Sequence, residues 1–569
     1  MSPGGTDPQA VDGPGGHGWR DDDGLGWHLT HLGPGALRLA ADAAPSADLS
    51  LRLATVRRHA WALRPTTVRD LVVGYRTLIA ELRPGAPPAP VARALAAATR
   101  AAAAARTASR SVTLPVVYGD AADRDALEAA LGLPWAEVVA RHAAPAYRVA
   151  FLGFTPGFPY LHGLDAALTL PRRPAPRVLP AGAVAIADGR AGVYPTAGPG
   201  GWWVLGTTPV LLFDASRAEP TTVLPGDELR FAPLPGPATG GDREGPPARG
   251  AATTLMPGSA ATGGPTAVEP AAPAMEGDAA LTLLEAWPGA VTLQGRPRDG
   301  VGHLGMAQAG ALDPRAFAAA ARLAGAPLAE PALELAVPHA TLRAGRPLIA
   351  AVAGGGASLR LEGRPQPLGR PFAWPAGAHL EVRPDGRASG AHVVLAVGGG
   401  LMPLGGPAGH PALVGAGSTD TRAGVGGFGR PLQAGDALAL AGPPRRPDLA
   451  WLGSVHHGQR LTLRLYPGPH GEARAYAALL ATAFRLTARD RMGARLDGRP
   501  VHPRQPDVES EGVPLGAVQL PADGRPIVLL ADRGRTGGYA VAGVVDPRDL
   551  PALSQARPGA HVVFEAAGA

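Results

Sequence analysis

Short apolar stretches that alternate with polar residues, and that are separated by Gly and Pro, recur along most of this chain. Such stretches are typical of the strands of a barrel or a sandwich. The pattern therefore predicts a mainly β protein with some α structure. The predicted strands are residues 147–153, 183–187, 203–205, 348–353, 379–382, 392–397, 461–465, 527–530 and 561–564.

Four segments follow the periodicity of a helix instead. They are residues 91–108, 123–142, 313–324 and 473–484. The second has an acidic start and a basic end, which suits the helix macrodipole. The third opens on Asp313-Pro314, an N-cap residue followed by Pro at the first helical position.

A stretch that shows neither the strand pattern nor the helix pattern of apolar residues divides the chain in two. Residues 235–279 are dominated by Gly, Pro, Ala and Thr, and cannot bury enough apolar surface to offset the entropy of ordering. They are predicted to form a flexible linker. Residues 1–25 are predicted to be a disordered head. The other parts are residues 26–234, with a small α+β part to about residue 110 and a β-barrel after it, and residues 280–569.

Six landmarks recur in the same order in both parts and indicate an internal repeat. The first part contains LHG (161–163), PAGAV (180–184), ADG (187–189), GGW (200–202), Gly206 and PG (225–226). The second contains LDG (496–498), PLGAV (514–518), ADG (522–524), GGY (537–539), Gly543 and PG (558–559). We therefore predict two related β-domains, with glycines at equivalent tight turns and a ligand cleft between the domains.

The composition excludes several kinds of chemistry. The 569 residues include 79 Gly and 63 Pro but no Cys, which excludes disulfides, thiolate metal ligands and a Cys nucleophile. All 53 basic residues are Arg, so a Walker A lysine, a Schiff base and a biotin-carrying lysine are excluded as well. The binding of anions is therefore left to arginine and to backbone N–H groups.

The net charge of +6 could suit a nucleic acid partner. No basic stripe with interleaved aromatic residues is present, however. No apolar run reaches the length of a membrane span, and the N-terminus lacks the regions of a signal peptide. The sequence therefore predicts a cytoplasmic protein that binds neither nucleic acid nor membrane.

Two segments concentrate aromatic residues in a chain that is only 5% aromatic. Residues 153–161 read GFTPGFPYL, and residues 198–203 read GPGGWW. Gly and Pro make both segments turns that present aromatic side chains. The first is either a plug over one end of a barrel or a loop that lines a pocket and offers N–H groups to an anion.

Polar turns in the second part supply further candidates. Arg491 and Arg495, beside Asp490, could grip a carboxylate or phosphate as a fork, or could form a structural ion pair. Residues 509–512 and 536–539 are polar turns near the landmarks of the repeat. No HExxH, GxSxG, metal-spaced His cluster or dinucleotide fingerprint is present, so no metal site is predicted.

These segments resemble a known pair of proteins. Residues 141–209, from RHAAPAYRVAFLGFTPGFPYLHGLD to GGWWVLGTTP, resemble the B subunit of 5-oxoprolinase, also called the first subunit of allophanate hydrolase. GALDPRAF, GGFGRPLQAGD, DRMGARLDG, SEGVPLGAVQLPADGRPIVLLADRGRTGGY and DLPALSQARPGAHVVF resemble the C subunit, or second subunit of allophanate hydrolase. The chain resembles a natural fusion of the two. The paired module also resembles the carboxyltransferase domain of urea carboxylase.

The resemblance implies cyclophilin-like β-barrels and an ATP-dependent hydrolase that opens 5-oxoproline to glutamate. It implies ATP, with Mg²⁺, while the absence of Lys excludes biotin bound covalently to this chain. It also implies a separate A subunit and a small lactam or amide substrate, while a homo-oligomer is left open. The resemblance indicates four catalytic residues, which are His142, Asp490, Arg491 and Arg495. It indicates as substrate- or ATP-binding residues Tyr147, Phe154, Pro156, Gly157, Phe158, Tyr160, Arg177, Tyr194, Gly200, Gly201, Trp202, Ser510, Gln519, Asp532, Thr536, Gly538 and Tyr539.

Two alternative functions stay open at this point. The chain could be the carboxyltransferase half of a biotin-dependent system similar to urea carboxylase, with its biotin on another protein. It could also be a non-catalytic module that binds and regulates a kinase. The family has polar residues where this chain has Gly295, Ala321 and Ala326, and their loss favours the binding module.

Overall fold

The computed structural model describes residues 11–13, 16–63, 66–105, 109–119, 122–235, 279–336, 339–385, 392–414, 417–449 and 460–568. These residues form four successive units that share no sheet with one another. Among them, no helix is long and apolar enough to cross a membrane. The predicted linker lies almost wholly outside the described residues.

The first unit is a six-stranded sheet covered by two helices. Leu53 and Val56 of one helix and Leu95 and Ala98 of the other pack on the sheet. The strands lie in the order β1-β2-β3-β4-β6-β5. The elements are β1 (Val11–Gly13), β2 (Gly16–Arg20), β3 (Gly26–His31), β4 (Ala36–Ala41), α1 (Ala47–Leu63), β5 (Val68–Val73), β6 (Thr77–Leu82) and α2 (Pro88–Ala104).

The second unit is a closed barrel of seven strands, which we call the first barrel. Its order is β11-β12-β9-β8-β15-β7-β14, and β10 and β13 pair as a separate ribbon. The helices are α3 (Arg124–Leu131) and α4 (Trp135–Ala143). The strands are β7 (Ser111–Val117), β8 (Tyr147–Leu152), β9 (Pro159–His162), β10 (Arg177–Leu179), β11 (Ala183–Ala187), β12 (Arg190–Val193), β13 (Gly198–Gly200), β14 (Trp203–Thr207) and β15 (Glu228–Leu234).

The third unit is a sandwich of a seven-stranded and a five-stranded sheet around one apolar core. Helix α5 (Pro314–Ala324) packs its alanines on the five-stranded sheet, and α6 is Pro411–Val414. The strands are β16 (Leu281–Ala286), β17 (Val291–Gln294), β18 (Ala332–Leu335), β19 (Ala340–Ala344), β20 (Leu348–Gly355), β21 (Ala357–Leu361), β22 (Arg364–Gln366), β23 (Pro371–Trp374), β24 (His379–Pro384), β25 (His392–Val397), β26 (Leu401–Pro403) and β27 (Ala437–Leu440).

The fourth unit is the second barrel. Seven strands close in the order β28-β35-β29-β30-β33-β32-β34, and β31 pairs with β34 outside the ring. The helices are α7 (Ala473–Ala481) and α8 (Leu550–Gln555). The strands are β28 (Arg460–Pro467), β29 (Ala483–Arg489), β30 (Gly493–Asp497), β31 (Asp507–Gly512), β32 (Ala517–Leu520), β33 (Ile527–Leu529), β34 (Thr536–Val545) and β35 (His561–Ala566).

The two barrels have the same connectivity. When their seven strands are numbered in chain order, the neighbours around each ring are identical, and in each ring the first and last strands run parallel. The repeated glycines occupy equivalent turns. Gly182 and Gly516, which precede the fourth strand of each ring, have φ of +79° and +83°, a conformation that a side chain disfavours. The predicted mainly β fold and the internal repeat are therefore confirmed.

Three predicted boundaries are corrected by the structure. Residues 16–20, placed in the disordered head, form β2, where the indole N–H of Trp19 donates to Thr99 Oγ1 on α2 at 3.0 Å. The predicted helix 123–142 is two helices, because Gly132 ends α3 with φ of +65° and Pro134 precedes α4. The helix predicted for 91–108 begins at Pro88 and ends at Ala104.

Candidate functional site

The aromatic residues predicted to share a pocket do lie together, on the outer face of the first barrel. Phe158 is the centre of the group, with ring centroids 4.9 Å from Tyr160, 5.0 Å from Tyr194 and 5.6 Å from both Phe154 and Trp202. Most of these pairs meet edge to face, which is a favourable geometry for aromatic rings. Phe154 is the exposed member of the group, which we call the aromatic cluster.

The loop that carries Phe154 uses most of its N–H groups internally. Gly153 N donates to Phe158 O, Thr155 N to Gly153 O, Phe158 N to Thr155 O, and Gly157 N to Leu304 O of the sandwich unit. These four N–H groups are therefore not free to bind an anion, which corrects the expectation from the sequence. The physical reason is that a compact turn with two Pro residues must satisfy its remaining donors locally.

The second barrel meets this loop directly. A Cβ atom added at Gly153 would collide with Thr536 Oγ1 at the start of β34. In the same strand, a Cβ added at Gly537 would lie 2.6 Å from Gln519 Nε2, and one at Gly538 would lie 3.4 Å from Ser510 Oγ. The structure thus brings the aromatic loop of the first part against Thr536 and its neighbours in the second part, at a place which we call the barrel junction. Tyr539 stands exposed beside it.

Charged residues lie around the barrel junction. Arg172 Nε donates to Asp188 Oδ2 at 2.8 Å. Burial tends to lower the pKa of Arg172, but that hydrogen bond and the charge of Asp507 on β31 raise it, so the side chain stays cationic. Arg190 lies over the Tyr75 ring at 4.7 Å. Ser510 also lines a cavity of about 500 Å³ between β31 and the first unit.

Arg177 and the GPGG turn support the aromatic cluster from one side. Arg177 and Arg173 both bind the buried carboxylate of Asp123, at 2.7 and 2.6 Å. Gly200 leaves room for the hydroxyl of Tyr194, with which a Cβ at that position would collide, and Gly201 lies beside Arg173 O. Arg177 is therefore held in an ion pair rather than presented as a free cation.

His142 and Tyr147 are not part of the aromatic cluster. They lie inside the first barrel, where the Tyr147 hydroxyl donates to His142 O at 2.8 Å and the His142 ring stacks on Phe231 at 4.6 Å. His142 Nδ1 lies 2.8 Å from the Tyr118 hydroxyl. Burial lowers the pKa of His142 to about 3, so the ring is neutral at physiological pH. The structure thus separates these two predicted site residues from the others.

The arginine fork expected from Arg491 and Arg495 is not formed. Arg491 turns inward and binds Asp532 through two nitrogens, at 2.7 and 2.9 Å, while Nη1 binds Glu334. Arg495 is exposed on β30. Asp490 closes the β29–β30 turn by accepting from Met492 N and Gly493 N. The alternative of a structural ion pair is the one observed.

Burial and charge act in opposite directions on Glu334. Burial alone raises the pKa of a carboxyl group, but Arg491 and His392 lower that of Glu334 to about 2. Arg491 is thus the counter-charge that keeps this buried carboxylate ionised.

A second buried cluster was missed by sequence reasoning. Arg535 Nη2 donates to Asp70 Oδ2 at 3.0 Å and to Glu81 Oε2 at 2.6 Å, and Arg533 Nη2 binds Glu81. Asp70 and Glu81 stand on β5 and β6, whose other residues are almost all apolar and buried. A carboxylate in a buried apolar strand needs a charged partner from elsewhere in the chain. An acidic residue within an apolar run is therefore the sequence signal that could have identified Asp70 and Glu81.

One loop of the second barrel therefore contacts every other unit. Asp532 reaches the sandwich through Arg491 and Glu334, and Arg533 and Arg535 reach the first unit through Asp70 and Glu81. Thr536 contacts the first barrel at Gly153. We call residues 532–536 the hub loop. It connects the barrel junction to the rest of the fold.

The contact between Gly153 and Thr536 can be tested with a double-mutant cycle. We expect Gly153→Ala to destabilise the protein by about 1–3 kcal/mol, because the new methyl group must displace Thr536. Thr536→Ala removes the colliding atom, so the double variant should regain most of that loss, with a coupling energy above about 0.5 kcal/mol.

Urea unfolding of all three variants measures this coupling. Gly198→Ala is the matched control, because a Cβ there meets nothing within 4 Å. Additive effects of the two substitutions would contradict the contact.

Among the described residues, no group of three or more His, Asp or Glu side chains is arranged to hold a metal ion. What the site offers is an apolar aromatic surface, hydroxyl and amide groups from the second barrel, and arginines at the edge. This arrangement suits a small flat ligand with an anionic group.

The comparisons with known proteins agree with this architecture. A family model described as carboxyltransferase domain, subdomain C and D, matches residues 27–223, and one described as carboxyltransferase domain, subdomain A and B, matches residues 304–566. The crystal structure of TTHA0988 superimposes with a TM-score of 0.76 at 36% identity, over 93% of this chain and 99% of that chain. The chain belongs to the family of proteins built from carboxyltransferase domains.

Within this family, each part of the chain is similar to a different protein. The first part is 49% identical over 128 residues to the 5-oxoprolinase B subunit of Escherichia coli O157:H7, which is 22% of this chain and 59% of that protein. The second is 31% identical over 294 residues to the 5-oxoprolinase C subunit of Haemophilus influenzae, which is 48% of this chain and 87% of that protein. The chain thus spans just over half the length of the Escherichia coli relative.

Proposed function

We propose that this chain is the combined B–C component of an ATP-dependent 5-oxoprolinase, an amidohydrolase that opens 5-oxoproline to glutamate. A separate A subunit would complete the enzyme, and the cytoplasm would be its location. The observation that carries the proposal is that one part similar to the B subunit and one similar to the C subunit lie on one chain and meet at one barrel junction.

The barrel junction fits the chemistry of 5-oxoproline. The lactam ring of this substrate is small and has apolar faces, which Phe154 and the rings behind it would cover. Its carboxylate needs a cation, and Arg172 lies at the edge of the same site. Thr536 and Ser510 would hydrogen-bond the amide group. In these roles the residues bind and orient the substrate and take no part in bond breaking.

ATP would supply the phosphoryl group that turns the lactam carbonyl oxygen into a leaving group, because an amide is a poor electrophile. Mg²⁺ would enter with the nucleotide. The chain has no Lys, so arginine side chains would have to neutralise the phosphates.

Reconstitution tests the proposal. We expect 5-oxoproline, ATP and water to yield glutamate, ADP and phosphate when the chain is mixed with an A subunit encoded in the same genome, and neither protein alone to do so. Glutamate is measured by a coupled dehydrogenase assay, and complex formation by size-exclusion chromatography. A stable complex that releases no glutamate would refute the proposal.

The family models favour one alternative function, since their description is carboxyltransferase domain. In that role the chain would accept carboxybiotin from a carrier protein, because it has no lysine to biotinylate. Carboxylation of a urea-like amide that depends on an added biotin carrier would support it.

A further inference from the structure

The described residues enclose a cleft between the first unit and the sandwich. Positive charges outnumber negative charges in the lining of this cleft. It has a volume of about 750 Å³ and is lined by Arg69 and Arg83 on one side and by residues 296–299 on the other. We call it the arginine cleft. Four guanidinium groups (Arg69, Arg83, Arg296 and Arg298) share it with two carboxylates, those of Asp299 and Glu330. An excess of two positive charges remains.

Asp299 fixes two of the arginines. Its carboxylate lies 2.8 Å from Arg83 Nη2 and 3.6 Å from Arg69 Nε. One carboxylate thus holds two guanidinium groups side by side, and Arg69 also feels the charge of Glu81 behind it. Such an arrangement positions donors for a further anion.

Arg296 and Arg298 lack a bound carboxylate among the described residues. Arg296 is exposed and makes no ion pair with any of them. Arg298 is 2% exposed, and its Nε and Nη2 donate to the backbone carbonyls of Leu413, Ser418 and Val425. Its Nη1 is buried without a hydrogen-bond partner in the part of the chain that the structure describes. A buried cation with an unused donor is costly unless an anion approaches it.

The remaining lining is apolar. Pro297, Pro331, Met402, Pro403 and Val414 cover part of the arginine cleft. A ligand that fills it should therefore have several anionic oxygens and an apolar portion. The volume lies within the range of ordinary ligand sites.

The two other cavities differ in character. The one beside Ser510 contains Arg38, Arg76 and Arg504, but also Asp507, Glu509 and Glu511, so its charges balance. The other, of about 450 Å³, lies where the first unit, the sandwich and the second barrel meet, and it shares Arg69 and Arg296 with the arginine cleft. Its lining is otherwise largely apolar, and its two further arginines are already paired, Arg533 with Glu81 and Arg548 with Asp546. The arginine cleft is thus the cavity of these three that suits a polyanion.

We infer that the arginine cleft binds the polyphosphate of a nucleoside polyphosphate, with the apolar lining against the nucleoside. Guanidinium groups bind phosphate oxygens in pairs, and this chain has no lysine to do so. The inference rests on the proposed function for the identity of the nucleotide, ATP. It adds that the nucleotide binds at the boundary of the first unit and the sandwich.

Calorimetric titration of the full chain with MgATP tests the site directly. We expect Arg296→Ala and Arg83→Ala each to weaken ATP binding by about tenfold or more, because each removes a charged hydrogen-bond donor. Arg370→Ala, an exposed arginine of the sandwich outside the cleft, should leave the affinity unchanged. Tripolyphosphate should compete with ATP, and adenosine should not.

The outcomes separate this inference from the proposed function. Equal ATP affinity in Arg296→Ala, Arg83→Ala and the unmodified chain would overturn the inference, as would competition by adenosine but not by tripolyphosphate. If the reconstituted enzyme still releases glutamate with these variants at full rate and unchanged KM for ATP, the cleft is not the nucleotide site and the proposed function stands. Intact ATP binding at the cleft without any glutamate release would support the inference and refute the proposed function.

Discussion

Replacing Arg535 with alanine is expected to lower the free energy of unfolding by about 3–5 kcal/mol, which would make it one of the most damaging single substitutions in the protein. Arg535 is fully buried and binds both Asp70 and Glu81. Without it, the hydrogen bonds left to Asp70 among the described residues come from the backbone N–H groups of Leu71 and Gly302. A buried carboxylate that has lost its counter-charge is far more costly than a broken pair at the surface.

Urea unfolding measured by circular dichroism checks this expectation. Arg525→Ala is the matched control, because its bridge to Asp497, at 3.4 Å, is largely exposed to solvent. That variant should stay within about 0.5–1 kcal/mol of the unmodified chain. Equal losses for the two variants would show that the buried cluster does not hold the first unit and the second barrel together.

The same cluster gives the protein a predictable response to acid. Burial tends to raise the pKa of Glu81, but Arg533 and Arg535 lower it to about 2 in the folded protein. An unfolded glutamate titrates near a pKa of about 4.3, so this stabilisation is complete above roughly that pH and is lost as the pH falls toward 2. With Arg535 removed, the pKa of Glu81 in the folded protein should lie closer to the unfolded value, so the variant should lose less stability between about pH 4.3 and 2 than the unmodified chain does.

Arg491→Ala is also expected to lower the free energy of unfolding by about 3–5 kcal/mol, because it too leaves buried carboxylates without their counter-charge. Arg491 is the cation that binds both Glu334 and Asp532, and both carboxyl groups are buried. Its loss should also loosen the hub loop, since Asp532 begins that loop. Under the proposed function, the activity of the reconstituted enzyme should fall as Thr536 loses its fixed position.

Arg495→Ala is the control for this substitution. Arg495 lies on β30, four residues after Arg491, but its side chain is exposed. Its removal should therefore change the midpoint of urea unfolding little. Arg491→Lys keeps the charge but cannot bind Asp532 through two nitrogens, and it should give an intermediate loss. Equal losses for Arg491→Ala and Arg495→Ala would contradict the stabilising role of the pairs that Arg491 makes with Glu334 and Asp532.

Several parts of this structure could be predicted from local patterns. The strands 183–187 and 392–397 begin and end where the apolar pattern places them, and Asp313 caps α5 by accepting from Arg315 N and Ala316 N. The repeated Gly landmarks indicated two related barrels, because a turn with positive φ selects glycine in both copies. The aromatic cluster was foreseen too, since its members other than Tyr194 are concentrated in two short segments.

Other parts depend on contacts that no local pattern contains. Arg535 and Asp70 are 465 residues apart in the chain, and Arg491 and Glu334 are 157 apart. A sequence shows which residues could carry a charge, but not which of them face a buried partner. For that reason Arg491 was expected to bind a ligand although it binds two carboxylates, and the cluster around Glu81 was missed.

The sequence by itself determined the mainly β character, the internal repeat and the family, because these depend on periodicity, on turn glycines and on long motif runs. Only the tertiary structure decided which candidates share a site. It joined Gly153 to Thr536 across the barrel junction, placed His142 inside a barrel, and assembled four arginines from two distant segments around one cleft. The physical reason is that burial and pairing of charges are properties of the packed chain, and they arise only when residues far apart in sequence are brought together.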